Sequence, residues 1–399
     1  MTLLFNKNIF LLMVLFAFNC KSNLSENSKQ DNLVSSVESF KTGADNYENY
    51  LPLLKNKKVG IVTNQTGILS SKIHLVDFLL EKQVDIQTIY APEHGFRGTA
   101  DAGEHIIDDK DTKTGLKIIS LYGENRKPKP QQLENIDIMI FDLQDVGARF
   151  YTYISTLHYV MEACAENNIQ LIVLDRPNPN GGIVDGPVLE KAYSSFVGMH
   201  PIPVLHGMTI GEYAQMIKGE KWLKNNIKCN LTVIPCVGYN HQKPYSLLVK
   251  PSPNLPNDQA INLYASLCLF EGTNVSVGRG TETQFQIYGS PFLPKTDFHF
   301  TPKPNFGAKD PLYNGKTCYG EDLTNYKKLH QLELKWIISA YKLSSDKSNF
   351  FNSFFTKLSG TKQLQEQITK GIPESVIREG WKKGLEEFKK TRTKYLLYK

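Results

Sequence analysis

At 399 residues the chain is too long for one small binding module, and at about 150 residues per domain it holds two or three. Its 41% hydrophobic and 22% charged residues suit a globular protein with a full core and exclude disordered, collagen-like and polytopic membrane chains. Lys+Arg 46 against Asp+Glu 40 leaves +6, far short of a nucleic-acid footprint, and six cysteines without zinc spacing exclude a disulfide scaffold or structural metal.

The N-terminus reads as an export signal. Lys7 precedes an apolar run over 9–18, too short for a bilayer span of about 20 residues, and Asn19 and Cys20 follow. A cysteine directly after such a run resembles a bacterial lipobox, making 1–19 a signal peptide and Cys20 the lipidated first residue. Asn19 departs from the usual small residue there, so plain secretion is the alternative. Residues 20–42, rich in Ser, Asn and charge, suit a disordered tether, and the folded part is expected to begin near Gly43. Cys164, Cys229, Cys236, Cys268 and Cys318 read as buried free thiols.

From Lys57 the chain alternates apolar, β-branched runs with helical spacing. Strands are expected at 59–63, 86–91, 117–121, 138–143 and 171–174, with helices at 74–81 and 154–167. Near-continuous apolar strands separated by helices imply a parallel sheet covered on both faces, a doubly wound Rossmann-like α/β domain over 43–245. No GxGxxG or P-loop follows the first strand, which disfavours a nicotinamide enzyme, and no cofactor is implied. The remainder, 246–399, is less regular. A breaker-rich stretch at 251–256 either lines a cleft or joins domains. Helices are expected at 259–270, 332–343 and 374–390, the last with a core-facing stripe of Trp381, Leu385 and Phe388.

Ligands of open α/β sheets bind beyond the carboxyl ends of the strands. Polar residues gather at four such ends: Asn64 and Gln65; Glu93 and His94; Asp142, Gln144 and Asp145; Asp175, Arg176 and Asn178. Glu93, between apolar Tyr90 and Phe96, is placed to be a general acid with a raised pKa, or a loop glutamate paired with Arg97. Glu104, Asp142 and Asp145 offer a second hydrolase carboxylate, or bidentate partners for Arg149 and Arg176. Glu271 and Glu282 bracket a glycine-rich loop whose Arg279 can grip a substrate carboxylate or form a surface ion pair. Tyr151 and Tyr153 can stack on a sugar or pack at a helix start. His94, His105 and His206 match no metal-binding spacing, and no GxSxG nucleophile motif is present.

Several strings are distinctive in combination: Val62-Thr63-Asn64-Gln65-Thr66-Gly67, Pro92-Glu93-His94-Gly95-Phe96-Arg97-Gly98, Phe141-Asp142-Leu143-Gln144-Asp145 running on to Tyr153, Asp175-Arg176-Pro177-Asn178-Pro179, His206-Gly207-Met208-Thr209, and Glu271-Gly272-Thr273-Asn274 with Gly278-Arg279-Gly280. From about Gly43 to the end, the chain resembles the exo-β-N-acetylmuramidase (NamZ-type) glycoside hydrolases, formerly a domain family of unknown function. The resemblance implies a Rossmann-like domain, a smaller α/β C-terminal domain and a cleft between them. It also implies release of N-acetylmuramic acid from the non-reducing ends of peptidoglycan fragments, with Glu93 as catalytic acid. Glu104 and Glu271 are candidates for a second catalytic group, unless the substrate's own acetamido oxygen serves. Arg97, Arg149, Arg176 and Arg279 are candidates for the lactyl carboxylate. Asn64, Gln65, His94, Asp142, Gln144, Tyr151, Asp175 and Asn178 complete the expected binding set. The expected partners are muropeptides or disaccharides and, through a lipid anchor only, a periplasmic or outer-membrane surface. A peptidoglycan-binding lipoprotein without turnover and another envelope hydrolase, an amidase or esterase, are the competing readings.

Overall fold

The computed structural model describes residues 40–97 and 109–398. The signal segment, Cys20, Glu104 and His105 lie outside the described residues. In the first domain the elements are β1 (Lys58–Thr63), α1 (Leu75–Glu81), β2 (Asp85–Ala91), β3 (Asp109–Lys110), β4 (Lys117–Ser120), β5 (Ile138–Asp142), α2 (Tyr153–Glu166), β6 (Gln170–Leu174), α3 (Ile210–Gly219) and β7 (Leu231–Ile234). The strands form a seven-stranded sheet in the order β3-β4-β2-β1-β5-β6-β7, parallel except for the edge strand β3.

The two-residue period of a strand explains why this sheet is covered on both sides. Ile61 of β1, Ile138 and Ile140 of β5 and Ile172 and Leu174 of β6 pack with Leu75, Val76 and Leu79 of α1. The intervening Val62, Met139, Phe141, Leu171 and Val173 face the other layer, with Leu157, Met161 and Ile217 from α2 and α3. The strand order runs outward from β1 through β2 and from β5 through β6, so the direction of winding switches between β1 and β5. That switch is where such folds open a crevice at their carboxyl edge.

The second domain begins with α4 (Asp258–Leu267), which tightens into a 3₁₀ turn over Cys268–Gly272. It has a separate antiparallel sheet in the order β8-β10-β9, from β8 (Ile287–Ser290), β9 (His299–Phe300) and β10 (Cys318–Asp322), which the sequence pattern does not reveal. Then follow α5 (Lys335–Leu343), α6 (Phe355–Ser359), α7 (Gln363–Thr369), α8 (Glu374–Glu379) and α9 (Lys382–Arg392). The single helix expected at 374–390 is therefore two. It breaks at Gly380, a poor helix former, where Trp381 N–H bonds back to Arg378 O at 3.0 Å and starts α9. The expected stripe still faces inward, with Trp381 and Phe388 buried and Leu385 packed against them. The five described cysteines are buried free thiols.

One buried polar chain crosses the first domain. Tyr213 OH lies 2.8 Å from His200 Nδ1, His200 Nε2 lies 3.0 Å from His158 Nδ1, and His158 Nε2 is 3.4 Å from Glu162. With both rings neutral the chain closes in one direction, Tyr213 O–H donating to His200 Nδ1, His200 Nε2–H to His158 Nδ1 and His158 Nε2–H to Glu162. Burial accordingly holds His158 below the usual histidine range and His200 well below it. Unfolded histidines titrate near about 6.5, so this stability is complete above that pH and is lost as pH falls, at up to about 1.4 kcal/mol per pH unit for each ring. His200→Phe, which keeps the stack on Trp222, should be less stable at neutral pH but lose less on acidification. Urea midpoints at pH 7.5 and 5.5 check this; an unchanged slope would remove His200 as a source of acid sensitivity.

Candidate active site

A cleft of about 380 Å³ opens at the carboxyl edge of the sheet, with walls from both domains. Beyond β2, positive φ at His94 and Gly95 (73° and 74°) turns the chain so that Glu93 and His94 line the cleft. Glu93 is half-buried, and Thr152 Oγ1 donates to its Oε2 at 3.1 Å. Tyr90 and Phe96, expected to flank it, are engaged in other contacts: Tyr90 OH donates to Gln132 O, and Phe96 lies edge-on to His74.

Tyr151 and Tyr153 line the cleft through their rings, and their hydroxyls are occupied. Both donate to Pro251 O, at 2.7 and 3.4 Å, while Asn64 Nδ2 donates to Tyr153 OH at 2.7 Å. Gln65 Nε2 holds the same segment through Lys250 O and Pro251 O. Asn64 and Gln65 therefore act by clamping the proline-rich stretch, which brings Ser252, Asn254 and Leu255 into the cleft wall. Tyr264 extends the aromatic wall, edge-on to Tyr151 and Phe285 at 5.9 and 5.0 Å.

The second carboxylate in the cleft is Glu271, on the turn after α4. Its Oε1 accepts from Arg279 Nε at 2.7 Å. Gly278 and Gly280, with φ of 79° and 82°, bend the loop that returns Arg279 to this place, and its guanidinium lies 5.1 Å over the Phe285 ring. Burial alone would lower the Arg279 pKa; the Glu271 carboxylate outweighs it and holds the guanidinium above its ordinary value.

The other strand-end residues share this edge, since β1 pairs in parallel with both β2 and β5, but they are not among the residues that line the cleft. Asp142 receives Arg176 Nε at 2.5 Å and Nη2 at 2.9 Å, with both side chains buried. Asp175 accepts from Arg176 N, Gly211 N, Thr209 Oγ1 and Tyr398 OH. Gln144 donates to Asp145 O and Pro177 O, and Asn178 to Met208 O. Arg149 is fully buried and donates to Pro187 O, Ile202 O and Leu358 O. Arg97 is bidentate to Asp111, at 2.7 and 2.8 Å. Arg97 and Asp142 are thus spent in side-chain ion pairs, and a second reason covers Asp175, Gln144, Asn178, Arg149 and the remaining N–H groups of Arg176. Loops leaving a parallel sheet bury backbone groups that need partners, and these side chains supply them.

Sequence reasoning missed Arg126, Ser195, Phe196, Tyr264, Phe285 and Lys357, all of which line the cleft. Arg126 follows β4 and was legible as a fifth strand-end polar residue. Lys357, on the short α6, carries no sequence signal.

Carboxylates from both domains, set among aromatic rings at the switch point of a doubly wound sheet, define the frame of an α/β glycosidase. The N-terminal model of the exo-β-N-acetylmuramidase NamZ family matches residues 59–259 and its C-terminal model matches 262–398. The chain belongs to this family. It is 37% identical over 416 aligned residues to the peptidoglycan β-N-acetylmuramidase NamZ of Bacillus subtilis (strain 168), covering 98% of this chain and all of that one. Two crystal structures of DUF1343 family proteins from Bacteroides fragilis NCTC 9343 share the fold. One has a TM-score of 0.84 at 44% identity and the other 0.76 at 31%, each covering 90% of this chain and 99% of its own.

Proposed function

We propose that this chain is an exo-acting glycosidase that releases N-acetylmuramic acid from the non-reducing ends of peptidoglycan fragments, with Glu93 protonating the leaving oxygen. The observation that carries the reading is Glu93 itself: of the expected strand-end carboxylates it alone lines the cleft, with Thr152 orienting one oxygen. Glu271, ion-paired to Arg279, is the second carboxylate available to the reaction. The test is hydrolysis of a chromogenic β-N-acetylmuramide beside the matching β-N-acetylglucosaminide, then of disaccharides with either sugar at the non-reducing end. Release confined to the muramide end is expected. Tight binding without release would return the protein to the peptidoglycan-binding reading.

The apolar run at 9–18 followed by Cys20 supports export and lipid anchoring of the same chain. Mass spectrometry of the mature N-terminus should find an acylated Cys20. An unmodified Cys20, or cleavage elsewhere, would make the protein a soluble secreted one.

A further inference from the structure

N-acetylmuramic acid differs from N-acetylglucosamine by a lactyl ether ending in a carboxylate, so a cleft that selects the former gains from a cation that reaches it with its charge not already balanced by a carboxylate. The four arginines expected to serve do not offer one. Arg97 and Arg176 are bidentate to aspartates, Arg149 is buried among carbonyls, and Arg279 is paired with Glu271. The remaining cations of the cleft wall are Arg126 and Lys357, both exposed and, among the described residues, without a carboxylate partner. We infer that Arg126 and Lys357 grip the lactyl carboxylate from opposite domains and set the preference for muramic over glucosamine ends. The inference rests on the muramidase reading above.

Both cations are held in place. The Arg126 guanidinium lies 4.5 Å over the Phe196 ring, which stacks in turn on Tyr159 with an interplanar angle of 16°. Phe196 sits in a tight turn closed by Ser195 and Gly198, which exchange backbone hydrogen bonds of 2.9 and 3.0 Å. An arginine held over an aromatic ring by a cation–π contact keeps N–H groups for a carboxylate and has less rotamer entropy left to lose than a free side chain. The hydroxyl of Ser195, buried and without a partner among the described residues, gives the same wall a further hydrogen-bonding group.

Lys357 is positioned from two sides. Its helix α6 presses against the turn that carries Glu271, where a Cβ on Gly272 would collide with Phe355 Cα. At the other end, Arg149 Nη2 donates to Leu358 O at 2.9 Å, tying α6 to the first domain. Arg149 thus acts at a distance from substrate, as a positioning residue for the helix that bears Lys357. Charge supports the assignment. Among the described residues that line the cleft, Glu271 and Arg279 neutralise each other and Arg126 and Lys357 outnumber Glu93, a balance that attracts an anionic sugar.

The test uses the full chain with Arg126→Gln and Lys357→Met, singly and together, on three aryl glycosides: the β-N-acetylmuramide, its lactyl methyl ester and the β-N-acetylglucosaminide. Each substitution should lower kcat/KM on the muramide about 10- to 100-fold, chiefly through KM, with a much smaller loss on the uncharged ester, so that the preference for acid over ester collapses. Equal losses on acid and ester, or no loss on either, would overturn the grip. Absence of wild-type turnover on any muramide would instead overturn the muramidase reading. In that event calorimetry with free N-acetylmuramic acid against N-acetylglucosamine decides the grip separately: preferential binding lost in the variants supports it, and preference retained in them refutes it.

Discussion

Replacing Arg176 with leucine should destabilise the protein by about 3–5 kcal/mol, the cost of leaving a buried charge without its partner. Asp142 has no exposed surface and forms a two-point ion pair with Arg176, whose Nη2 also donates to Ile68 O at 3.0 Å. Removing the guanidinium strands the carboxylate and one loop carbonyl together. The companion variant Asp142→Leu/Arg176→Leu removes both charges, and it should recover much of the loss, since well-packed apolar replacements of buried pairs are often neutral. Urea denaturation measures both. The same variants separate a scaffold role from a binding one. Below the unfolding transition their KM for the muramide should stay close to wild type, because neither residue lines the cleft. A selective rise in KM would restore Arg176 to the carboxylate-binding set.

The first domain was legible because a doubly covered parallel strand has an unambiguous composition. In β5 and β6 every second apolar residue serves a different layer, so the runs are apolar throughout and end abruptly in polar residues. The second sheet was not legible. Its strands are four, two and five residues long, and Gly289 faces Gly320 across the β8–β10 pair, so neither alternation nor bulk marks it. The location of the site could be read, whereas its membership could not. Asp142, Asp175, Arg149 and Arg176 sit where substrate-binding residues sit and have the same chemistry. Whether such a side chain turns toward a ligand or toward a loop carbonyl is decided by tertiary packing, to which one sequence is blind. Asn64 shows the intermediate case: it touches the cleft only through Tyr153. Glu93 was legible from its place at the end of an apolar strand in the string Pro92-Glu93-His94-Gly95, whereas the positive φ of His94 that turns it to the cleft was not.

Glu93→Gln should lower turnover of a natural disaccharide by about 10²- to 10⁴-fold, or about 3–5 kcal/mol of barrier, the usual share of general acid catalysis. The amide keeps the side chain's shape and can still accept from Thr152 Oγ1, so folding and substrate binding should change little. What it cannot do is deliver a proton to the leaving oxygen. The dependence on leaving group follows from this. An aryl leaving group departs with less protonation than a sugar alcohol, so the loss should be smaller on a chromogenic muramide than on the disaccharide. A structural role for Glu93 would depress both substrates alike. Near-wild-type turnover of the disaccharide would exclude Glu93 as the acid and leave Glu271 as the carboxylate of the described cleft that has to carry the proton. If a folded variant lost binding as well as turnover, Glu93 would be assigned to holding the sugar, and its contact with Thr152 would be read as orienting a hydrogen-bond acceptor rather than an acid.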